Sequence, residues 1–276
     1  MKRIVTMQDI SCLGRCSLTV SLPVISAMGV ECSVIPTAVL STHTKYSHFT
    51  FKDLTDQIAP ILDQWKQEDF RFDAIYTGYL GSMEQLDLAK RLFRDFGAGA
   101  LKLADPAMGD NGKLYSGITD EFAREMKRLC ADADIIVPNL TEAAYLLDEP
   151  YIGENYSEEQ IKGILMRLTG LGADMALLTG ISFEKGKIGA YGYDRTNDQY
   201  VGYFTEEQPE HFHGTGDLWA STFIGAMALG KGMDASLRIA SDYVAEAIRV
   251  TIADPDHDPY RGVCFEQAIP YLIGQL

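Results

Sequence analysis

Residues 213–217 read His213-Gly214-Thr215-Gly216-Asp217 and open an almost wholly apolar segment that carries Leu218, Trp219, Phe223, Ile224 and Met227. Two glycines this close let the backbone approach a ligand and aim successive N–H groups at one point. The dipole of the helix that follows adds partial positive charge there. Gly214, Thr215 and Gly216 therefore read as an anion hole, and Asp217 stands directly beyond it. A carboxylate beside an anion hole suits phosphoryl transfer, since it can accept an acceptor's hydroxyl proton while the amides hold the charge of the moving group. The same residues also fit a plain glycine turn with an acid favoured by the helix dipole. Their neighbours decide which reading applies.

Further polar groups follow short apolar runs: Gln8-Asp9, Ser41 to Tyr46, Thr77 to Ser82, Asp105 to Asp110, Pro138 to Glu142, and Thr179-Gly180. Singly they are weak signals, because turns are rich in such residues. The runs before them are Arg3–Gln8, Glu31–Val39, Ala74–Thr77, Ala100–Ala104, Ile135–Val137 and Met175–Thr179. Each is continuously apolar, which predicts parallel strands covered on both faces. Between them lie helical patterns. In Ser82–Phe96, Leu86, Ala89, Leu92, Phe93 and Phe96 share one face, with Ser82 and Gln85 as a capping-box pair and Gly97 at the end. Ser157–Leu171 repeats the device with Ser157 and Gln160. Pro60 is expected to kink Asp53–Trp65 or delay its start.

Lys187–Asp194 and Gln199–Glu206 read as an antiparallel meander, and helices over Asp217–Leu229, Asp234–Ala253 and Phe265–Ile273 close the chain. This alternation predicts an α/β fold: one doubly wound domain over 1–276, a mostly parallel central sheet with helices on both faces, and no separate lid. Ligands gather at the carboxyl ends of such strands, so polar groups from six strands should converge on one rim.

The chain has 276 residues, a net charge of −15 and 46% hydrophobic residues. That composition excludes a disordered chain, and the acidity argues against a nucleic-acid or anionic-membrane surface. Cys12, Cys16, Cys32, Cys130 and Cys264 are scattered and odd in number, which reads as free thiols in a reducing cytosol. No apolar run approaches the roughly 18 residues of a membrane span, and Ile4–Met7 is too short for a signal h-region. A soluble, cytoplasmic protein is the expectation. The absence of G-x-x-x-x-G-K-[ST], and of G-x-G-x-x-G after the first strand, disfavours a P-loop kinase or a simple dinucleotide enzyme.

G-T-G-D at 214–217, D-P-A-M-G-D-N-G-x-L-Y from Asp105 to Tyr115, P-N-x-x-E from Pro138 to Glu142, and G-Y-L-G-S from Gly78 to Ser82 together resemble the ribokinase superfamily. T-H-T-K-Y at Thr42–Tyr46 and the G-Y-L-G-S element look like its pyridoxal kinase branch, which phosphorylates vitamin B6 in salvage. The resemblance runs in order from Ile4 to about Ala253. It implies a ribokinase-like fold, Asp217 as base on the substrate's hydroxymethyl oxygen, and Gly214, Thr215 and Gly216 as the anion hole. It also implies ATP contacts at Asp105, Asn139, Glu142 and Thr179, with Gly202–Thr205 flanking the nucleotide. Glu142 and Asp105 would serve Mg²⁺, and Asp9, Thr44, Lys45 and Tyr79 would line the substrate pocket. A monovalent cation and a homodimer are further family expectations.

Plainer readings stand beside these. Asn139 and Glu142 also form a helix-cap pair, Asp105 before Pro106 an ordinary turn, Tyr79 a core aromatic and His43 a structural histidine. The chain departs from the pyridoxal kinase pattern where Asp9 replaces a serine, Ile10 a histidine and Lys45 a glutamine. A carboxylate at position 9 favours a protonated ring nitrogen or a substrate amine, or else a protein cation such as Arg15 or Lys45. Hydroxymethylpyrimidine kinase is therefore the alternative enzyme, and a catalytically weak B6-binding protein the alternative outside enzymes.

Overall fold

The computed structural model describes residues 1–276. Its strands are β1 (Arg3–Ser11), β2 (Glu31–Leu40), β3 (Phe51–Asp53), β4 (Ala74–Thr77), β5 (Leu101–Ala104), β6 (Gly109–Asp110), β7 (Lys113–Leu114), β8 (Ile135–Ile136), β9 (Met175–Ile181), β10 (Lys187–Asp194) and β11 (Gln199–Glu206). The helices are α1 (Leu18–Ala27), α2 (Thr55–Gln67), α3 (Met83–Phe96), α4 (Asp120–Glu125), α5 (Lys127–Cys130), α6 (Leu140–Leu147), α7 (Glu158–Thr169), α8 (Thr215–Ala228), α9 (Met233–Ala253) and α10 (Phe265–Gln275). Nine strands form one sheet in the order β11-β10-β9-β8-β5-β4-β1-β2-β3. The six from β9 to β2 are parallel, and β3, β10 and β11 join antiparallel. No helix is long and apolar enough to cross a membrane.

Side chains alternate across the strands, so each strand feeds two cores. Val5, Met7, Ile75, Ala104 and Leu178 pack under α2, α3, α6 and α7. Ile4, Tyr76, Leu103 and Leu177 pack under α1, α8 and α9. This double coverage explains the unbroken apolar runs of the parallel strands. The chain leaves β1 toward β2 on one side and later returns to β4 on the other. The resulting crevice is the topological switch point where such sheets bind ligands.

Several elements differ from expectation. β1 runs on to Ser11, and α8 begins at Thr215, two residues before Asp217. α2 starts at Thr55 and carries Pro60 within it. Ser82 caps α3 through Gln85 N, but the Gln85 side chain answers Gly81 N (2.8 Å) instead of Ser82 N, and its amide reaches Thr37 O and Thr55 Oγ1. The capping box there is therefore half made. α1 has no clear periodic signal, since it is apolar on most of its surface and contains Pro23.

Candidate active site

Pro36 cannot donate to β1 from inside β2, and the pairing slips immediately afterwards, from Gln8–Pro36 to Ile10–Val39. Asp9 sits at that bulge, which re-aims its side chain toward the crevice. It is buried, with Ser11 Oγ 3.5 Å from its carboxylate. Burial raises its pKa, and no ion pair reaches it. Arg15 pairs with Glu266 at 2.9 Å, and Lys45 is exposed and makes no salt bridge. The sequence-based option of a protein cation for Asp9 is thus not realised.

Gly78 follows β4, and a Cβ there would press on the buried Gln8 side chain at 2.8 Å and force it to shift. Tyr79 follows, half-buried; burial and then the Asp9 charge raise its pKa. Thr44 and Lys45 are exposed. His43 is structural: its Nε2 and that of His213 both lie on the Tyr260 carbonyl (2.6 and 2.8 Å), so both rings must donate. Lys45 N–H donates to His43 Nδ1.

After β5, the Asn111-Gly112 turn, with φ of 51° and 75°, folds β6 onto β7 as the pair predicts for a type I′ hairpin. The N-terminus of α6 braces it. Asn139 Oδ1 accepts from Thr141 N and Glu142 N, while its Nδ2 donates to Gly109 O at 2.8 Å. Glu142 Oε2 accepts from Asn139 N (2.8 Å) and Oε1 from Met108 N (3.1 Å). The cap-pair reading of Asn139 and Glu142 is therefore real, and the same carboxylate also faces the cleft. Glu142 is only 3% exposed, and burial lifts its pKa to about 8. Asp105 is buried with no hydrogen-bond partner for its carboxylate; burial, then Glu142 and Asp217, push its pKa well up.

Leu218 N to Gly214 O (3.0 Å) is the first hydrogen bond of α8. The amides of Thr215, Gly216 and Asp217 precede it and remain free donors. Gly214 has φ 79°, and a Cβ there would collide with the Arg15 carbonyl. Beyond Gly216 a Cβ meets nothing, so that side is open to a ligand. The Thr215 hydroxyl turns back to Phe212 O, leaving its backbone for the hole. Burial raises the Asp217 pKa to about 7, the Ser17 backbone N–H lowers it, and Asp9 raises it.

One cleft of about 110 Å³ is lined by Asp105, Asn139, Glu142, Thr179, Gly214, Gly216 and Asp217, from the carboxyl-terminal ends of three strands and two helix starts. Tyr115 and Trp219 also line it and were not singled out from sequence, although Tyr115 closes the D-P-A-M-G-D run. Gly202–Thr205 does not line it; those residues lie on the sheet's edge strand, where Thr205 Oγ1 bonds Ile188 O. A second concavity, near Arg3, Glu31 and Trp65, lies at the opposite ends of the strands.

No group of three His, Cys, Asp or Glu side chains is close enough to hold a metal unaided. Asp105, an orphaned buried carboxylate next to Glu142, nonetheless fits a hard cation whose other oxygens come from phosphate and water. Without a cation the acids repel one another. Their raised values mean that, between the ordinary carboxylate range and about 7–8, the folded chain binds more protons than the unfolded one. Stability in this window falls as pH rises. The ligand-free protein should therefore melt higher at pH 6 than at pH 8, and Mg²⁺ with ATP should shrink the difference. A melting temperature that is flat or rising over that range would refute the repulsion.

A family model described as phosphomethylpyrimidine kinase matches residues 19–259. A structure from Bacteroides thetaiotaomicron described as a phosphomethylpyrimidine kinase, in a crystal form with pyridoxal, is 38% identical with TM-score 0.93, covering 98% of this chain and 95% of that one. Pyridoxal kinase from Lactobacillus plantarum is 28% identical with TM-score 0.89, covering 99% and 97%. Pyridoxal kinase PdxY of Rubrobacter xylanophilus is 25% identical over 90% of this chain and 87% of its own length. The chain spans only 42% of the bifunctional thiamine biosynthetic enzyme TH1 of Arabidopsis thaliana, with 27% identity.

Proposed function

The chain belongs to the phosphomethylpyrimidine kinase family, and we propose that it transfers the terminal phosphoryl group of ATP to the hydroxymethyl oxygen of a vitamin B6 compound: pyridoxal, pyridoxine or pyridoxamine. One observation carries this reading. Asp217 stands beside three unpaired amides in a cleft that also holds Asp105 and Glu142. Asp217 takes the hydroxyl proton as the oxygen bonds to phosphorus, and the amides of Thr215 and Gly216 hold charge on the moving group. Asp105 and Glu142 would hold Mg²⁺, which would neutralise phosphate charge. Asn139 and Thr179 flank the nucleotide phosphates, and Asp9 and Tyr79 meet the ring, with Thr44 and Lys45 at the pocket mouth.

Support for the B6 substrate comes from the pyridoxal-containing relative and the pyridoxal kinase relatives. The unpaired Asp9 carboxylate also suits an aminopyrimidine, so hydroxymethylpyrimidine is the second reading. Coupled ADP release with pyridoxal, pyridoxamine and hydroxymethylpyrimidine, run side by side, decides between them. The same reading includes one kinase domain over 1–276, a cytoplasmic homodimer and a monovalent-cation requirement; all five cysteines are unpaired, in keeping with a reducing compartment.

Glu142→Gln tests the metal role. The amide would present an NH₂ to one of two backbone donors, so both the cap and the site weaken. Half-maximal activity should require roughly ten- to hundredfold more Mg²⁺, with a stability loss of about 1–3 kcal/mol. A lower melting temperature with unchanged Mg²⁺ dependence would leave Glu142 a cap alone.

A further inference from the structure

Three loops are tied to one short segment between α9 and α10, residues 258–262. The Tyr260 carbonyl in that segment accepts from His43 Nε2 at 2.6 Å and from His213 Nε2 at 2.8 Å. His43 belongs to the loop after β2, and His213 directly precedes Gly214. The two imidazoles also pack on each other, with ring centroids 4.0 Å apart. The next carbonyl, that of Arg261, accepts the Arg15 N–H at 3.0 Å and so ties in the loop after β1.

The surroundings hold this arrangement in place. His43 is 8% exposed, and the Lys45 N–H donates to its Nδ1, which fixes the Nε2–H tautomer. Gly14 leaves room for the ring, since a Cβ there would lie 2.6 Å from His43 Cδ2. Tyr46 packs on both His43 and Tyr260, with centroids 4.8 and 5.6 Å apart. Asp258 caps the segment by accepting from Tyr260 N at 2.9 Å. A carbonyl oxygen has two lone pairs, so it satisfies both ring donors at once. Neither loop can shift against the other without giving up one of these bonds.

We propose that His43 and His213 are a pair of positioning residues. By sharing the Tyr260 carbonyl they hold the 43–46 loop, with its proposed ring contacts Thr44 and Lys45, in fixed register with the anion hole that begins at Gly214. This rests on the kinase reading above. Neither ring needs to touch the substrate; each acts through the loop it anchors. A misplacement of about 1 Å at the reacting atoms can cost roughly 10²-fold in rate. The register of these two loops therefore bears on kcat.

His213→Leu removes one donor and should lower kcat about ten- to hundredfold. His43→Leu should do the same and also raise KM for the B6 compound about three- to tenfold. The double variant should be no slower than the slower single one, because either loss already frees one loop from the other. A glutamine amide reaches the Nε2 position, so His43→Gln and His213→Gln should recover kcat to within about threefold of wild type. Hydrogen exchange needs no substrate: in folded His213→Leu, the amides of 43–46 should exchange about tenfold faster although none of those residues is altered. Losses that multiply in the double variant, or faster exchange confined to the substituted loop, would overturn the proposal. The same ratios are expected with hydroxymethylpyrimidine as acceptor. A wild type that turns over only that compound would thus refute the substrate reading, while the exchange result still decides this one.

Discussion

Asp217→Asn should bind Mg²⁺ and ATP as the wild type does and transfer almost nothing. The side chain keeps its shape and its place in the first turn of α8. The amides of Thr215 and Gly216 are untouched, so the phosphate cradle remains. Only the proton acceptor is gone, and a general base is typically worth about 10²–10⁴-fold in rate. The sign of the pH dependence follows from burial. With its pKa raised to about 7, Asp217 in the free enzyme is protonated on the acid side and ionised on the alkaline side. The wild-type kcat/KM should therefore fall as pH drops through about 7, and the residual rate of the variant should lack that limb. Near-native turnover in the variant would return Asp217 to an ordinary helix-terminus acid.

Asp9→Ser should alter which substrate is preferred. The structure leaves this buried carboxylate without a salt-bridge partner: Arg15 is committed to Glu266, and Lys45 is exposed and makes no salt bridge. An uncompensated buried charge is costly, and a substrate donor can repay the cost. Losing a charged hydrogen bond typically costs about 1–3 kcal/mol. The kcat/KM for pyridoxamine and for an aminopyrimidine should therefore drop about five- to 150-fold, and that for pyridoxal less. The ligand-free variant should also melt higher, because it no longer buries an unpaired acid. Equal losses for all substrates would sink the discrimination.

The six parallel strands, the β10–β11 meander and the longer helices were legible from periodicity, since double coverage makes parallel strands continuously apolar and leaves helices a one-sided stripe. The short β3, β6, β7, α4 and α5 were not read, being too short to show a period. β10 and β11 fall where the alternation placed them. Capping pairs were only partly legible. Ser157 with Gln160 forms the full box, whereas Gln85 is drawn away by Thr37 and Thr55, partners 48 and 30 residues distant in the chain. α1 was not legible at all, because its surface is apolar nearly all round.

By itself, the order of residues determined the α/β class, the glycine-flanked start of α8 with Asp217 in its first turn, and the polar groups at the strand ends. These are local properties, set by side-chain period, turn chemistry and helix termini. Only the tertiary structure decided which of those groups share a cleft. It gathered Asp105, Asn139, Glu142, Thr179 and Asp217, left Thr44 and Lys45 exposed, and kept Gly202–Thr205 on an edge strand. It also withheld a cation from Asp9. Such neighbours follow from sheet order and helix packing, and the raised proton affinities follow from burial and from like charges that no short stretch of sequence contains.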